Sequence, residues 1–418
     1  MNNDHAHFKE STAVVRVPGS KSLSQRALMA AALAQNDSVL SNVLVSQDTI
    51  YLISGLQALG AKIVPAENGF SVSGTAGKII NNGKELFLGN NGTALRFLTA
   101  VVCLGKGKYI LTGEKRLCER PVGALADALK EMGVDILCRN NYPPVEINAN
   151  GLKGGKITLK DIESSQYVSA LLLCAPYTPM GMDLNLEGGV VSAPYIDLTI
   201  TVMRDFGAKI IQKARYEYHV EPCEIYQGRK YNVEGDASSA SYFFLAAALL
   251  RKTIRIMGIN RQSKQGNIRL LNVLEELGCK VKSEENWVEV TGCNLAKGNL
   301  VFDLNDMPDM VPTLAVLAAF REGQTIISNV AHLRIKESNR LAAMVAELNR
   351  CGIEAQELPE GLVIRGGKFR PAIIETYSDH RMAMSFAIAG LCASGIKIRD
   401  KKCVDKSFPS FWEELKKL

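Results

Sequence analysis

Two hydrophobic patterns alternate along this chain. In the first, an amphipathic stretch ends on a glycine and runs into a short alternating segment: "LQALGAKI" at Gly60, "LKEMGVDI" at Gly133, "MRDFGAKI" at Gly207, "LEELGCKV" at Gly278 and "LNRCGIEA" at Gly352. Apolar positions on one face, then Gly, then alternation, predict a surface helix, a left-handed stop and a strand. The second pattern is apolar on most faces, and stretches begin near Ser24, Thr93, Ser165, Ala240, Val311 and Arg381. A helix with no polar face must be buried. Both markers recur every 69 to 75 residues. That period is too long for a solenoid. It predicts six units, each with one buried helix, one surface helix and short strands. Three units can share one core, so the chain divides into two lobes with a boundary near residues 212–236. The segment "AVVRV", before Pro18, reads as a strand outside the first unit that belongs to the other lobe. "FPSFWEELKKL" is the sixth surface helix, at the end of the chain.

Composition narrows the class. The 418 residues are 47% hydrophobic and 22% charged, which excludes a disordered chain and allows two to four domains. The formal charge of +6 is mild and contains no basic block, so nucleic acid is not the expected partner. The longest apolar run, Tyr242 to Leu250, is nine residues, about half of a membrane span. "MNNDHAHFKE" has no signal-peptide character. Ten dispersed cysteines without a CxxC pair suit reduced thiols in the cytoplasm. Five histidines, two of them near the N-terminus (His5 and His7), form no metal-ligand spacing.

The chemistry gathers where the buried helices begin. Each is entered through small polar residues: "PGSKS", "GNNGT", "ESS", "GDASS", "MPD" and "YSD". Taken singly these are helix caps. Six helix starts pointing into one gap would form an anion site, because each exposes free N–H groups and a positive dipole end. Cations cluster at the same places: Lys21, Arg26, Arg96, Arg120, Lys336, Arg340, Arg381 and Lys406. "GSKS" lacks the glycine that a P-loop needs before its lysine, and "GDASSAS" is no nucleophile elbow. Asp309, Glu337 and His380 are the acid/base candidates. A carboxylate beside Lys and Arg stays ionised, which suits a base better than a resting acid.

Eight strings, in order from Val15 to Phe411, carry a resemblance: "VPGSKSLSQRAL", "LGNNGTALRFL", "ERPVGALADAL", "SSQYVSALL", "SAPYID", "VEGDASSASYF", "RIKESNRL" and "YSDHRMAM". Together they resemble the EPSP synthase (3-phosphoshikimate 1-carboxyvinyltransferase) family of enolpyruvyl transferases. The resemblance implies a two-lobed inside-out α/β barrel of six βαβαββ repeats, three per lobe, around buried parallel helices. The lower lobe would be discontinuous, 1–19 plus 236–418, and the upper lobe 20–235, with the site in the cleft between them. The implied reaction joins phosphoenolpyruvate to the 5-hydroxyl of shikimate 3-phosphate by addition and elimination. It needs no metal or organic cofactor and is carried out by a cytoplasmic monomer. By the same resemblance, Lys21 touches both substrates. Ser22, Arg26, Ser164, Ser165, Gln166, Ser192, Tyr195, Asp309 and Lys336 hold shikimate 3-phosphate. Asn90, Gly92, Thr93, Arg120, Gln166, Arg340, His380, Arg381 and Lys406 face phosphoenolpyruvate. Asp309 is expected to take the hydroxyl proton. Glu337 is expected to exchange the methylene proton, with Lys406 assisting.

Three positions depart from the family pattern. Phe97 replaces a common Pro, so the Gly92–Thr93 turn is expected to be set differently. His332 stands where a relative carries Asn and receives no ligand role. Asn339 replaces an Asp and is expected to deprive Arg340 of a carboxylate. Gly92 leaves room for an anionic inhibitor such as glyphosate, competing with phosphoenolpyruvate. The related UDP-N-acetylglucosamine enolpyruvyl transferases are the alternative. They carry a reactive Cys five residues before the Arg of "RPV", where this chain has Lys115, with Cys118 out of register. Six helix ends cannot surround a ligand that must also enter, so the lobes are expected to close on binding.

Overall fold

The computed structural model describes residues 12–223 and 225–418. His5 and His7 therefore lie outside the described residues. The six all-apolar stretches are helices: Lys21–Leu33, Gly92–Val101, Ser165–Cys174, Ala237–Leu250, Val311–Phe320 and His380–Cys392. Each is buried along most of its length, as the lack of a polar face requires. Two begin three residues before the apolar run, Lys21–Leu33 and Ala237–Leu250, and five of the six are capped by a side chain, from Ser20, Asn91, Ser164, Asp236 and Asp379. All five marker glycines have φ between 81° and 108°, the left-handed stop that their place in the pattern predicts.

Among the described residues there are five four-stranded sheets and one two-stranded sheet. In each four-stranded sheet a parallel pair is extended by an antiparallel hairpin, and in three of the five a buried helix joins the two parallel strands. Gly155–Ile162 runs parallel to Met182–Val190, which then pairs with the hairpin of Glu217–Val220 and Ile210–Ala214. The sixth unit stops at two strands, Ala372–Ile374 and Ile396–Ile398, before the short helix Phe411–Leu415. The sheets turn one face outward and enclose the helices.

Two units lack a first strand of their own, and each borrows one from the chain as it crosses. Ala13–Arg16 lies parallel to Thr253–Met257, and Lys230–Asn232 lies parallel to Ser38–Ser41. One hydrophobic core accordingly gathers residues from Leu23 to Val233, and a second gathers Val15, Val17 and residues from Ala237 to Phe411. The two crossings touch at Gly19 and Gly235. Ser20 N donates to Glu234 O at 2.8 Å and Asp236 N to Pro18 O at 2.9 Å. A Cβ on Gly19 would sit 1.8 Å from Asn42 O, so only glycine fits this crossing. No helix among the described residues is long and apolar enough to cross a membrane.

Candidate active site

Five of the six buried helices send residues of their first turn to one cavity between the lobes, and the sixth, Val311–Phe320, reaches it through the short turn Pro308–Met310 just before it. Lys21 and Ser22, Gly92 and Thr93, and Ser165 and Gln166 line it from one side. Ser238 and Ser239, Pro308 and Asp309, and Arg381 line it from the other. Its empty space is about 860 Å³, counting its open mouth. Six cations line it (Lys21, Arg26, Arg120, Lys336, Arg340 and Arg381) against four carboxylates (Asp48, Asp236, Asp309 and Glu337). Among the described residues, no group of three or more His, Cys, Asp or Glu is placed to hold a metal.

The upper side is built from hydroxyls and from two arginines, Arg26 and Arg120, with no carboxylate in ion-pair contact, while its Lys21 is paired with Asp48 at 3.0 Å. Ser164 caps its helix by accepting from Gln166 N at 3.3 Å. Gln166 Nε2 donates to Thr93 Oγ1 at 3.0 Å. Ser192, at φ 57°, keeps a buried Oγ with no partner. Arg26 is 2% exposed and donates only to neutral oxygens: Thr199 Oγ1 at 2.7 Å, Ser22 O at 3.0 Å, Tyr195 O at 3.1 Å and Ser169 Oγ at 3.3 Å. Burial pushes it down to about 10, which still leaves it cationic at neutral pH. Arg120 is buried, and its Nε and Nη1 have no partner. A buried guanidinium with free N–H groups is costly unless something fills the space. Gly92 keeps that space open, since a Cβ there would lie 2.4 Å from Arg96 Nη1 and 2.5 Å from Arg120 Cζ.

The lower side is a compensated ion network. Arg340 donates to Asp309 Oδ1 at 2.9 Å, Glu337 Oε2 at 2.8 Å and Asp379 Oδ2 at 2.8 Å. Arg381 Nη2 donates to Asp309 Oδ2 at 2.8 Å, and the Tyr195 hydroxyl reaches the same oxygen at 2.9 Å. Burial would raise Asp309, but Arg381 and Arg340 outweigh it and hold the carboxyl far below its usual range. Glu337 behaves likewise: burial opposes, and Arg340 and Arg120 prevail. Lys336 is pushed down to about 8, chiefly by burial and then, against the pull of Asp309, by Arg120.

Three of the expected ligands do not line the cavity. Lys406 turns to Asp48 Oδ1 at 2.9 Å and Asn90 O at 2.9 Å, drawn there by a carboxylate buried with it. Asn90 sits in the turn before the helix and offers that carbonyl, while its neighbour Asn91 caps the helix and faces the cavity. His380 is fully buried behind the helix start, with neither ring nitrogen bonded. Burial holds it well below the usual histidine range, so it is neutral.

Asp48 lines the cavity and was given no role by the sequence reading. It binds Lys21 Nζ at 3.0 Å and Lys406 Nζ at 2.9 Å, and at 4% exposure it is deeply set. In the sequence it reads as an ordinary acid in a helix's first turn, beside the Ser46–Thr49 capping box. Nothing local marks a partner 358 residues away. Tyr242, which bonds Arg381 Nη1 at 3.4 Å, was hidden among apolar neighbours.

The departures also resolve. Phe97 lies inside its helix, wholly buried, with the Arg26 guanidinium 5.4 Å above its ring, while the Asn91 cap holds the turn. Its visible contact is thus with Arg26 rather than with the Gly92–Thr93 turn. His332 is pushed down to about 3, first by burial and then by Lys336. Asn339 caps its own helix through Ala342 N at 3.3 Å. Arg340 has three carboxylate partners, none of them at position 339.

Comparison with known proteins agrees with this geometry. The family model described as EPSP synthase (3-phosphoshikimate 1-carboxyvinyltransferase) matches residues 7–415. The 3-phosphoshikimate 1-carboxyvinyltransferase of Nostoc punctiforme is 42% identical over 404 residues, covering 96% of this chain and 95% of the relative. That of a Sulfurovum species is 40% identical over 416 residues, covering 97% and 96%. A solved EPSP synthase from Acinetobacter baumannii superposes with a TM-score of 0.80 at 27% identity, over 97% of this chain and 95% of that one. With its six helix starts converging on one cation-lined cleft and its near-complete match to this family in sequence and shape, the chain belongs to the EPSP synthase family.

Proposed function

We propose that this chain transfers the enolpyruvyl group of phosphoenolpyruvate to the 5-hydroxyl of shikimate 3-phosphate, releasing phosphate, with the two faces of its cleft dividing the work. The observation that carries this reading is the excess of cations and helix N-termini around one cavity, with Arg26 and Arg120 lacking carboxylate partners. Both substrates are phosphorylated carboxylic acids, and Arg recognises carboxylate and phosphate through paired hydrogen bonds. The serines Ser164, Ser165 and Ser192 with Arg26 and Lys336 receive shikimate 3-phosphate. Arg120, Gly92, Arg340 and Arg381 receive phosphoenolpyruvate. Lys21 lies between the two groups. A site complete within one chain supports a monomer, and the reduced-thiol cysteine pattern supports the cytoplasm as its setting.

In the addition step the 5-hydroxyl oxygen bonds to C2 while C3 gains a proton. In the elimination step C3 gives up a proton and the C2–O bond to phosphate breaks. Asp309 takes the hydroxyl proton. Without ligands it is too weak a base, because Arg381 and Arg340 hold its charge. Anionic substrates compete for those arginines and so raise Asp309 and Glu337 toward a useful range. Glu337 then exchanges the proton at C3. Lys406 and His380 act from behind: Lys406 shares Asp48 with Lys21 and fixes it in place. Lys21 is raised in spite of its burial, because Asp48 and Glu337 favour its charge, so it stays cationic beside the departing phosphate.

The test is phosphate release with phosphoenolpyruvate and either acceptor. Release that requires shikimate 3-phosphate is expected. Release with UDP-N-acetylglucosamine instead would overturn the assignment.

A further inference from the structure

The segment "GEKRLCERP" contains a second arginine, Arg116, to which sequence reasoning gave no task. Its side chain leaves the upper lobe and crosses to the lower one. Nε donates to Lys336 O at 3.1 Å and Glu337 O at 3.2 Å. Nη2 donates to Lys336 O at 2.8 Å and Arg334 O at 3.3 Å. Nη1 stays with its own lobe, on Glu119 Oε2 at 3.1 Å. The three carbonyls lie where the short helix Ala331–Ile335 ends, before the helix Arg340–Arg350 begins. Carbonyls at a helix end lack in-helix donors and carry the negative end of its dipole, so a guanidinium is a fitting cap. Here the cap comes from the other lobe. The side chains of Lys336 and Glu337 line the cavity, and so does Arg120, four residues beyond Arg116. One short segment thus grips the lower loop with one arginine and presents another to the site.

We propose that Arg116 is a positioning residue, an interlobe latch that sets Lys336 and Glu337 opposite Arg120 when the lobes close. The proposal rests on the functional reading above. It makes no contact with substrate and works through the loop that it holds. Without the latch the lobes relax apart, Lys336 regains water and moves away from Arg120, and its ammonium becomes harder to deprotonate.

The experiment compares the full chain with Arg116→Ala, Arg116→Lys and, as a control, Glu119→Ala. For Arg116→Ala we expect unchanged circular dichroism and a kcat/KM for phosphoenolpyruvate about 30-fold lower, as for several charge-assisted bonds lost at once. The alkaline limb of the pH profile should move upward from about 8, the value to which Lys336 is pushed down, and added guanidinium ion should recover activity. Small-angle scattering with shikimate 3-phosphate and glyphosate present, the condition in which the lobes close, should give a larger radius of gyration than wild type. Glu119→Ala should stay within about twofold of wild type, since that pair is exposed. Wild-type kinetics and an unmoved alkaline limb in Arg116→Ala would overturn the latch. So would a loss that guanidinium does not relieve while the limb stays in place. If Arg116→Ala does not fold, Arg116→Lys decides: an intermediate loss with a shifted limb supports the latch, and an unshifted limb rejects it. A wild-type protein without shikimate 3-phosphate-dependent turnover would sink the functional reading instead, and the scattering difference between Arg116→Ala and wild type, each with and without the two anions, would then judge the latch alone.

Discussion

The two faces of the cleft are built on opposite electrostatic plans. On the upper face, Arg26 and Arg120 have no carboxylate partner, and Ser192 keeps an unbonded hydroxyl. On the lower face, Arg340 is bound by three carboxylates and Arg381 shares one of them. Uncompensated donors are poised to take an anion, and their stabilisation arrives with the ligand. Compensated ions are already satisfied, so a ligand gains from them by redistributing charge. The upper face should therefore govern affinity, and the lower face the proton steps. The helices beneath both faces come from the same repeat, so the difference is written in the few residues at each helix start.

The strongest way to break this comparison is on the lower face. Asp309→Asn and Glu337→Gln keep shape and remove the base, and each should cut kcat by about 10³-fold while KM moves only severalfold. Steady-state kinetics that showed the reverse split would refute the division. On the upper face, Arg120→Ala should raise the KM for phosphoenolpyruvate by about 30-fold with kcat little changed, the cost of losing charge-assisted bonds to a carboxylate or phosphate. Gly92→Ala tests the same arginine by crowding. Its methyl must displace Arg120, so inhibition by glyphosate, expected to compete with phosphoenolpyruvate in the wild type, should weaken along with substrate binding.

Asp48 joins the two faces, since it holds Lys21 from one lobe and Lys406 from the other. Asp48→Ala leaves two largely buried ammonium groups uncompensated and should cost about 3 kcal/mol of stability, read from denaturant midpoints. The smallest expected effect concerns pH. Lys336 is pushed down to about 8 when no ligand is bound, and a phosphate prefers its charged form. Affinity for shikimate 3-phosphate should be flat below that pH and fall above it, as the lysine must be protonated to bind. Lys336→Arg remains charged, so calorimetric titration across the range should find that limb abolished.

Acid stability follows from the same network. Asp309 and Glu337 are held below their unfolded values, so the stability they contribute is present above about pH 4 and is lost as pH falls through the folded values.

The sequence by itself determined the repeats, the buried helices, their caps and the cations beside them. Each of these is a local property: apolar positions with no polar face, a glycine where a helix stops, a serine or aspartate where one starts. Composition and spacing also sufficed to place Asp309, Glu337 and Arg340 on the suspect roll. Only the tertiary structure decided which ion meets which. It put Asp48 under Lys21 and Lys406, Phe97 under Arg26 and Arg116 across the lobe gap, and it turned Lys406 and His380 away from the cavity. It also placed Lys230–Asn232 beside Ser38–Ser41, the return crossing that mirrors the one read from "AVVRV" in the sequence. The physical reason is one of range. Periodicity records neighbours within a turn or a strand, whereas ion pairing depends on distance in space, and packing here brings together charges from opposite ends of the chain.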